Sequence, residues 1–325
     1  MTGVALRDRL HSLWVSLTDP RMEQRVDSDN IIPSRFLSDN NISLILDSFT
    51  PKATEADSLN KQPPVLFRLR PCEIIMNHPI NPWDSFFTDK MQVDTSPAIR
   101  VQRIFDRESM PLYRGRSLAR YLDKWAMGGY PRHLPPAVPD LPTLCGIDSV
   151  SDPHPLNTET RGWLKPGRWT DIQWENYIYE YTETRPDGSI LHPHLILLGV
   201  QSCNGIDNTI SLGELTTIVT AMRCRAYQPA VFNEDAILVG DEQQSVNGNP
   251  SPGSEDELAF KGEKRFPVIM ASLVGPQHVR IIYACMNGLE LCIRASACHK
   301  IIPETEIMVH NIGSVLLSMP LQEAS

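Results

Sequence analysis

Side chains capable of chemistry gather at three places in this sequence. The first is His192-Pro193-His194, where two imidazoles share one side of a strand and make half of a metal site. A site needs a third ligand and usually a fourth. Glu180 or Glu183 on a partner strand are the candidates, but no spacing demands them, and Pro193 spoils regular strand geometry. The competing reading is a pair of surface or hydrogen-bonded histidines. No metal and no other cofactor is expected.

The second place is the stretch 278–296. It offers Tyr283, Glu290, Cys292 and Arg294 on one strand face, with Gln277 and His278 at its mouth. An Arg–Glu pair on a strand face is ordinarily a cross-strand salt bridge. The alternative is a seat for a carboxylate ligand. Ligand-binding candidates are therefore His192, His194, His278, Tyr283, Glu290 and Arg294. The third place is 99–125, with seven basic residues against three acidic ones. Arg114, Arg116, Arg120 and Lys124 are the candidates for holding a polyanion through non-specific phosphate contacts. A solvated helix face, or pairing with acidic groups of the same chain, is the plainer account.

Linear signatures of other chemistries are absent from the sequence. It has no Gly-x-Ser-x-Gly, no Gly-x-x-x-x-Gly-Lys and no Gly-x-Gly-x-x-Gly. The seven cysteines form no Cys-x-x-Cys and read as reduced, mostly buried thiols. Pro186-Asp187 resembles the start of a restriction-nuclease motif, but the strand that follows carries no carboxylate to complete a Mg²⁺ site. A catalytically decayed relative of that fold remains a minor alternative. A net charge of −9 argues against bulk affinity for nucleic acid. No apolar run approaches the about 20 residues of a membrane span. With no signal peptide read at the N-terminus, a cytoplasmic or nuclear location is expected.

The elements that must position these groups are mostly strands. Asn287-Gly288 between two apolar runs predicts a hairpin turn, with Met286 facing Leu289, Ala284 facing Leu291 and Ile282 facing Ile293. One face is apolar. The other, with Cys285, Tyr283 and Arg294, is mixed and expected to be half-buried or to line a groove. In this register Cys285 and Cys292 are diagonal neighbours. Residues 266–274 add a third strand. A second hairpin unit spans 174–200, turning at Arg185-Pro186-Asp187-Gly188. Ser211 and Glu214 form a capping box, so a helix over 211–226 packs on this sheet.

Elsewhere the signals are weaker. Leu6, Leu10, Leu13, Trp14 and Leu17 share a helical face. Ile42 to Leu46 reads as a brief helix capped by Asn40-Asn41, Val65–Leu69 as a strand, and Met308–Leu317 as a helix. Residues 233–263 hold eight acidic residues against one lysine and read as a disordered insertion, which could screen the basic region. The fold class expected is α+β: a mostly antiparallel sheet from 174–200 and 266–298, the capped helix packed on it, and N-terminal helices wrapping the body. The expected divisions are a helix-rich half over 1–128, a Pro-rich connector over 129–168 and a sheet domain over 169–325.

The motifs Arg168-Trp-Thr-Asp-Ile-Gln-Trp174, Glu183-Thr-Arg-Pro-Asp-Gly-Ser-Ile190, Glu214-Leu-Thr-Thr-Ile-Val219 and Phe266-Pro-Val…Val274-Gly-Pro-Gln-His278 resemble a family of uncharacterised filamentous-fungal proteins. The resemblance covers about 165–300. It implies a fungal, intracellular protein and carries no site residue to transfer. The expected function is a non-catalytic binding or interaction protein. The alternative is a small-molecule enzyme with an active site assembled from separate segments.

Overall fold

The computed structural model describes residues 3–26, 29–49, 53–77, 111–127, 141–150, 162–163, 173–186, 188–230, 258–275, 277–301 and 306–322. Strands β1 (Ile42–Leu46), β3 (Ile147–Ser149), β5 (Gln173–Tyr181), β6 (Leu195–Asn204), β7 (Val268–Gly275), β8 (His278–Asn287) and β9 (Glu290–Ala295) build one sheet in the order β1-β9-β8-β7-β6-β5-β3. Strand β4 (Gly162–Trp163) pairs with β5, and β10 (His299–Lys300) pairs with β8. Most neighbours are antiparallel. The exceptions are β6 with β7 and β1 with β9. A separate two-stranded pair joins β2 (Phe67–Arg68) to β11 (Met319–Pro320).

The β6–β7 pair is parallel because a helix, α7 (Leu212–Ala226), lies between them in sequence and returns the chain to the same end of the sheet. Helix α1 (Gly3–Thr18) packs beside α7. Its Leu6, Leu10, Leu13 and Leu17 recur at three- and four-residue spacing and are all buried, each worth about 2 kcal/mol of transfer free energy. The other face of the sheet is covered by α5 (Pro111–Ala126) and α8 (Glu306–Leu316), with the short α4 (Cys72–Met76) beyond them. Short helices α2 (Ser34–Asp39), α3 (Glu55–Leu59) and α6 (Leu141–Cys145) complete the described α-helices, and a 3-10 turn spans Pro20–Gln24. The central strands β6 and β7 are accordingly apolar on both faces. Among the described residues, no helix is long and apolar enough to cross a membrane.

The α+β class and the largely antiparallel sheet agree with the sequence. Several details differ. In the β8–β9 hairpin, Met286 faces Leu291, Ala284 faces Ile293 and Ile282 faces Ala295. The turn centres are Gly288 and Leu289, with φ of +65° at Gly288, not Asn287 and Gly288. The pairing therefore slides by two positions. Side chains alternate with period two, so the apolar face survives the slide intact. The slide also places Cys285 directly opposite Cys292, both as buried free thiols.

The second face of that hairpin, expected to be half-buried or to line a groove, is instead closed over. Tyr283, Cys285 and Cys292 are buried, because the segment leading into β2 and the helices of that layer cover them. The Ile42–Leu46 run is strand β1, not a helix. Its apolar spacing fits either period, and the open edge of β9 takes it as a parallel neighbour. Asn41, at φ +45°, makes the bend that admits it. Of the strand expected over 65–69 only Phe67 and Arg68 pair. The connector expected over 129–168 contains α6 and β3, and β3 belongs to the sheet. The insertion expected at 233–263 lies, up to residue 257, outside the described residues. Its base is described: Pro229 and Leu258 form an antiparallel bridge, and Ala259 N–H donates to Gln228 O at 2.9 Å.

The capping box at the start of α7 forms as the sequence predicts. Ser211 Oγ accepts from Glu214 N–H at 3.3 Å, and the Glu214 carboxylate accepts from Ser211 N–H at 2.9 Å. Glu214 has a second role. Arg280, on central strand β8, grips the same carboxylate with Nε (2.7 Å to Oε1) and Nη2, and both side chains are fully buried. Arg280 Nη1 also donates to Ile206 O and Thr209 O, at 3.1 and 2.8 Å. Burial opposes ionisation of Glu214, but the Arg280 charge and these hydrogen bonds outweigh it and hold the carboxyl below its ordinary range. Helix and sheet meet closely here. A Cβ on Gly213 would collide with Gln201 and Trp174, and one on Gly199 with Met270.

Removing one partner of a buried pair strands the other charge, at a cost of about 3–5 kcal/mol. Arg280→Met should therefore lower the unfolding free energy by that margin, read in urea titration as a lower midpoint at constant slope. Adding Glu214→Gln keeps the cap, discharges the site and should recover about 1–2 kcal/mol of the loss. A double variant no more stable than Arg280→Met would contradict this account of the pair.

Candidate functional site

Three separate segments meet at one end of the sheet. They are the turn from Arg185 to Pro193 between β5 and β6, the stretch from Leu258 to Pro267 that enters β7, and the C-terminal residues Leu321 and Gln322. Between them lies a half-open cleft of about 820 Å³. Its apolar wall includes Leu66, Leu191, Pro193, Phe260, Pro267 and Leu321. Its described charged lining is Arg185, Lys261, Glu263 and Arg265. His194 is the imidazole among the described lining residues.

The turn is closed by its own backbone: Arg185 N–H donates to Ser189 O at 2.7 Å and Gly188 N–H to Arg185 O at 2.9 Å. Gly188 has φ of +83°, a conformation cheap for glycine and costly for other residues. The Arg185 guanidinium then stitches the turn from inside. It donates to Ser189 Oγ (3.1 Å), Ile190 O (2.7 Å) and Leu191 O (3.2 Å), and reaches Ala259 O at 3.4 Å.

Phe260 anchors the second segment. Its buried ring has the Arg185 guanidinium 5.6 Å from its centre and that of Arg225 at 5.2 Å, while its carbonyl accepts from Arg7 Nη2 at 3.0 Å. Arg225, at the end of α7, is itself fully buried. It donates to Glu180 Oε2 (2.8 Å) and Gln228 Oε1 (2.6 Å) and reaches His194 O at 3.4 Å. Burial lowers its pKa, and the Glu180 carboxylate works against that shift.

The structure brings His192 and His194 together, with ring centres 5.9 Å apart and rings nearly perpendicular. Both Nε2 atoms are committed. His194 Nε2–H donates to Leu321 O at 3.1 Å, and His192 Nε2 pairs with Glu183 Oε2 at 3.0 Å. Tyr181 and Phe67 pack edge-on against the His194 ring. Burial, and then the neighbouring His192, push the His194 pKa down to about 3, so this ring is neutral at ordinary pH. Among the described residues, no group of three or more His, Cys, Asp or Glu side chains is placed to hold a metal ion.

The other candidates do not join this site. Tyr283 and Arg294 face each other across β8 and β9. Tyr283 OH donates to Pro64 O at 2.9 Å and accepts from Leu66 N–H at 3.2 Å. Arg294 donates to Gln62 O (2.6 Å) and Pro63 O (3.2 Å) and pairs with Asp47, 3.3 Å away. Its carboxylate is Asp47, which also holds Lys61 at 2.7 Å, and not Glu290. Glu290 sits at the hairpin turn opposite Asn287. His278 stands at the far end of β8 opposite Lys300, where burial and then Lys300 lower its pKa.

Of the basic helix, Arg116 makes a two-armed bond to Glu175 at 2.9 and 2.7 Å, and Arg120 is exposed. The side chains of Arg114 and Lys124 are outside the described residues, as is the acidic stretch expected to cover them. Sequence reasoning missed Arg185, Phe260 and Arg265. Phe260, a lone aromatic after a long acidic stretch, was the available signal.

The chain matches no family model, no curated protein and no solved structure.

His194 gives the site a pH signature. Its ordinary unfolded pKa is about 6.5. Below that value the unfolded chain takes up a proton that the folded chain refuses until about pH 3. This group therefore lowers stability as pH falls, by about 1.4 kcal/mol per pH unit per proton. His194→Gln should be less stable than the wild type at pH 7, with the gap narrowing by about 2.5 kcal/mol at pH 4.5, in urea titrations at both values. A gap that widens in acid would show that His194 is not held neutral.

Proposed function

We propose that this chain is a small-molecule-binding protein and that the cleft beside the 185–193 turn is its binding site. The observation that carries the reading is the cleft. Its volume of about 820 Å³ falls within the range of small-ligand pockets, and its walls combine apolar side chains with fixed polar groups in near-equal measure. The polar groups are held by the protein's own hydrogen bonds, which suits a pre-formed site that costs little ordering on binding.

Binding is favoured over catalysis by the state of the same groups. A general base works best with a pKa near the operating pH. His194 is far below that, at about 3. Glu263 Oε1 accepts the backbone N–H groups of Lys264 and Arg265, at 2.8 and 2.6 Å.

Leu191→Trp tests the reading by filling the cleft from its wall. In a thermal-shift screen of defined small molecules, hits should stabilise the wild type by about 2.7 kcal/mol at a hundredfold excess over Kd. The same compounds should leave Leu191→Trp unmoved while its own melting stays close to that of the wild type. Compounds that stabilise both proteins equally, or a screen without hits, would overturn the proposal.

A further inference from the structure

We infer that His192 and His194 form a closed, two-coordinate site for a soft monovalent metal ion, copper(I), held between their Nδ1 atoms. The site stands whether or not the neighbouring cleft takes a ligand.

Hydrogen bonding fixes the state of both rings. His194 Nε2 faces Leu321 O at 3.1 Å, and His192 Nε2 faces the Glu183 carboxylate at 3.0 Å. A carbonyl and a carboxylate only accept, so each Nε2 carries the ring hydrogen, and the Nδ1 of each neutral ring carries a bare lone pair. Both Nδ1 atoms are buried, and among the described residues neither has a hydrogen-bond partner. Buried polar atoms are ordinarily satisfied, so two unmet acceptors on neighbouring rings call for a shared electrophile.

The arrangement is that of metal-binding histidines. Such a ring gives one nitrogen to the ion and the N–H of the other to a carboxylate or a backbone carbonyl, which fixes the tautomer and raises ligand basicity. His192 has the carboxylate and His194 the carbonyl. An ion bound in line to two imidazole nitrogens by bonds of about 2 Å sets the ring centres about 6 Å apart, since each nitrogen lies about 1 Å out from its centre. The rings here are 5.9 Å apart and nearly perpendicular, at 79°, which keeps them clear of each other across such an ion.

The surroundings choose the ion. Imidazole suits copper, zinc, iron and nickel. Tyr181 stands edge-on to both imidazoles, but its hydroxyl is spent on Ser318 O. Among the described residues no third His, Cys, Asp or Glu joins the pair. Zinc therefore lacks the four ligands it takes, whereas copper(I), a closed-shell ion, is saturated by two nitrogens in line. Charge points the same way. The Arg225 guanidinium lies close, 3.4 Å from His194 O, so added positive charge is costly. One charge is matched by the Glu183 carboxylate on His192, and two are not.

The site reads a sequence pattern differently from a zinc site. His192-Pro193-His194 supplies half of a four-ligand set, but the whole of a two-ligand one.

Silver(I), a redox-inert ion with the same preference, is the probe. The protein is the full chain with its histidines labelled with nitrogen-15, and with Cys72→Ser and Cys298→Ser to remove the two thiols that are not buried. Before silver is added, both Nδ1 resonances should be those of unprotonated nitrogens. One equivalent of silver(I) should move the two together, split each by coupling to the silver nucleus, and leave the other imidazoles in place. Zinc(II) should move neither. Glu183→Gln, at an exposed side chain, should weaken silver(I) by about tenfold or more, because it removes the charge behind His192.

Silver(I) that leaves either Nδ1 unmoved would overturn the site, whether the ion settles on a buried thiol or a trapped water already meets both lone pairs. An Nδ1 that carries hydrogen from the start would overturn it as well. Zinc(II) moving both resonances as strongly as silver(I) would overturn the two-coordinate assignment. The nitrogen shifts need no substitution at either histidine, so misfolding of a ligand variant cannot blur the result.

Discussion

The fold is organised around a buried ion pair. Arg280 lies in the middle of the sheet and Glu214 on the first turn of the helix that crosses it, and neither side chain reaches water. Such a pair is an expensive thing to bury, because both ions give up their hydration. It stands here because most of the pair's lone pairs and protons have a defined partner. Glu214 accepts from the Ser211 backbone and hydroxyl as well as from Arg280, and Arg280 spends its remaining donors on loop carbonyls. One carboxylate thus caps the helix, neutralises the strand and fixes the connection between them. The glycines at 199 and 213 let helix and sheet come close at this end.

The same helix carries that constraint to its other end. Arg225 closes α7 as Glu214 opens it, and it too is wholly buried. It ties Glu180 on β5 to the backbone of His194 and to the ring of Phe260. Arg7, from the first helix of the chain, holds Ala226 O and Phe260 O together. The position of the cleft wall is therefore set by α1, α7 and β5 jointly. A displacement of α7 along the sheet would be felt in the cleft as a displacement of Phe260 and His194.

What was legible in the sequence was local. The Ser211–Glu214 spacing announced the helix start, since both partners lie within one turn. The hairpin faces were legible even though the register was not, because a slide of two residues preserves the alternation. What escaped were interactions between residues far apart in the chain. Nothing near Glu214 signals Arg280, sixty-six positions later. Tyr283 and Arg294 read as a polar strand face, but a cis Gln62-Pro63 loop from the N-terminal part lies over them and takes up their hydrogen bonds. The Ile42–Leu46 run could satisfy helix or strand, and only the vacant edge of β9 decided. The cleft was illegible for the same reason: its cations and its aromatic anchor come from different segments, and none has a distinctive neighbourhood in sequence.

The bridge between Pro229 and Leu258 has a consequence for how this chain can vary. It brings the two ends of a long excursion side by side, and the Gln228–Ala259 hydrogen bond secures them. The entropy of closing a loop grows only with the logarithm of its length, so doubling the excursion costs about 0.6 kcal/mol. The stem, fixed by these two contacts, sets the path into β7, so in closure entropy alone a change of length between Pro229 and Leu258 is cheap for the body.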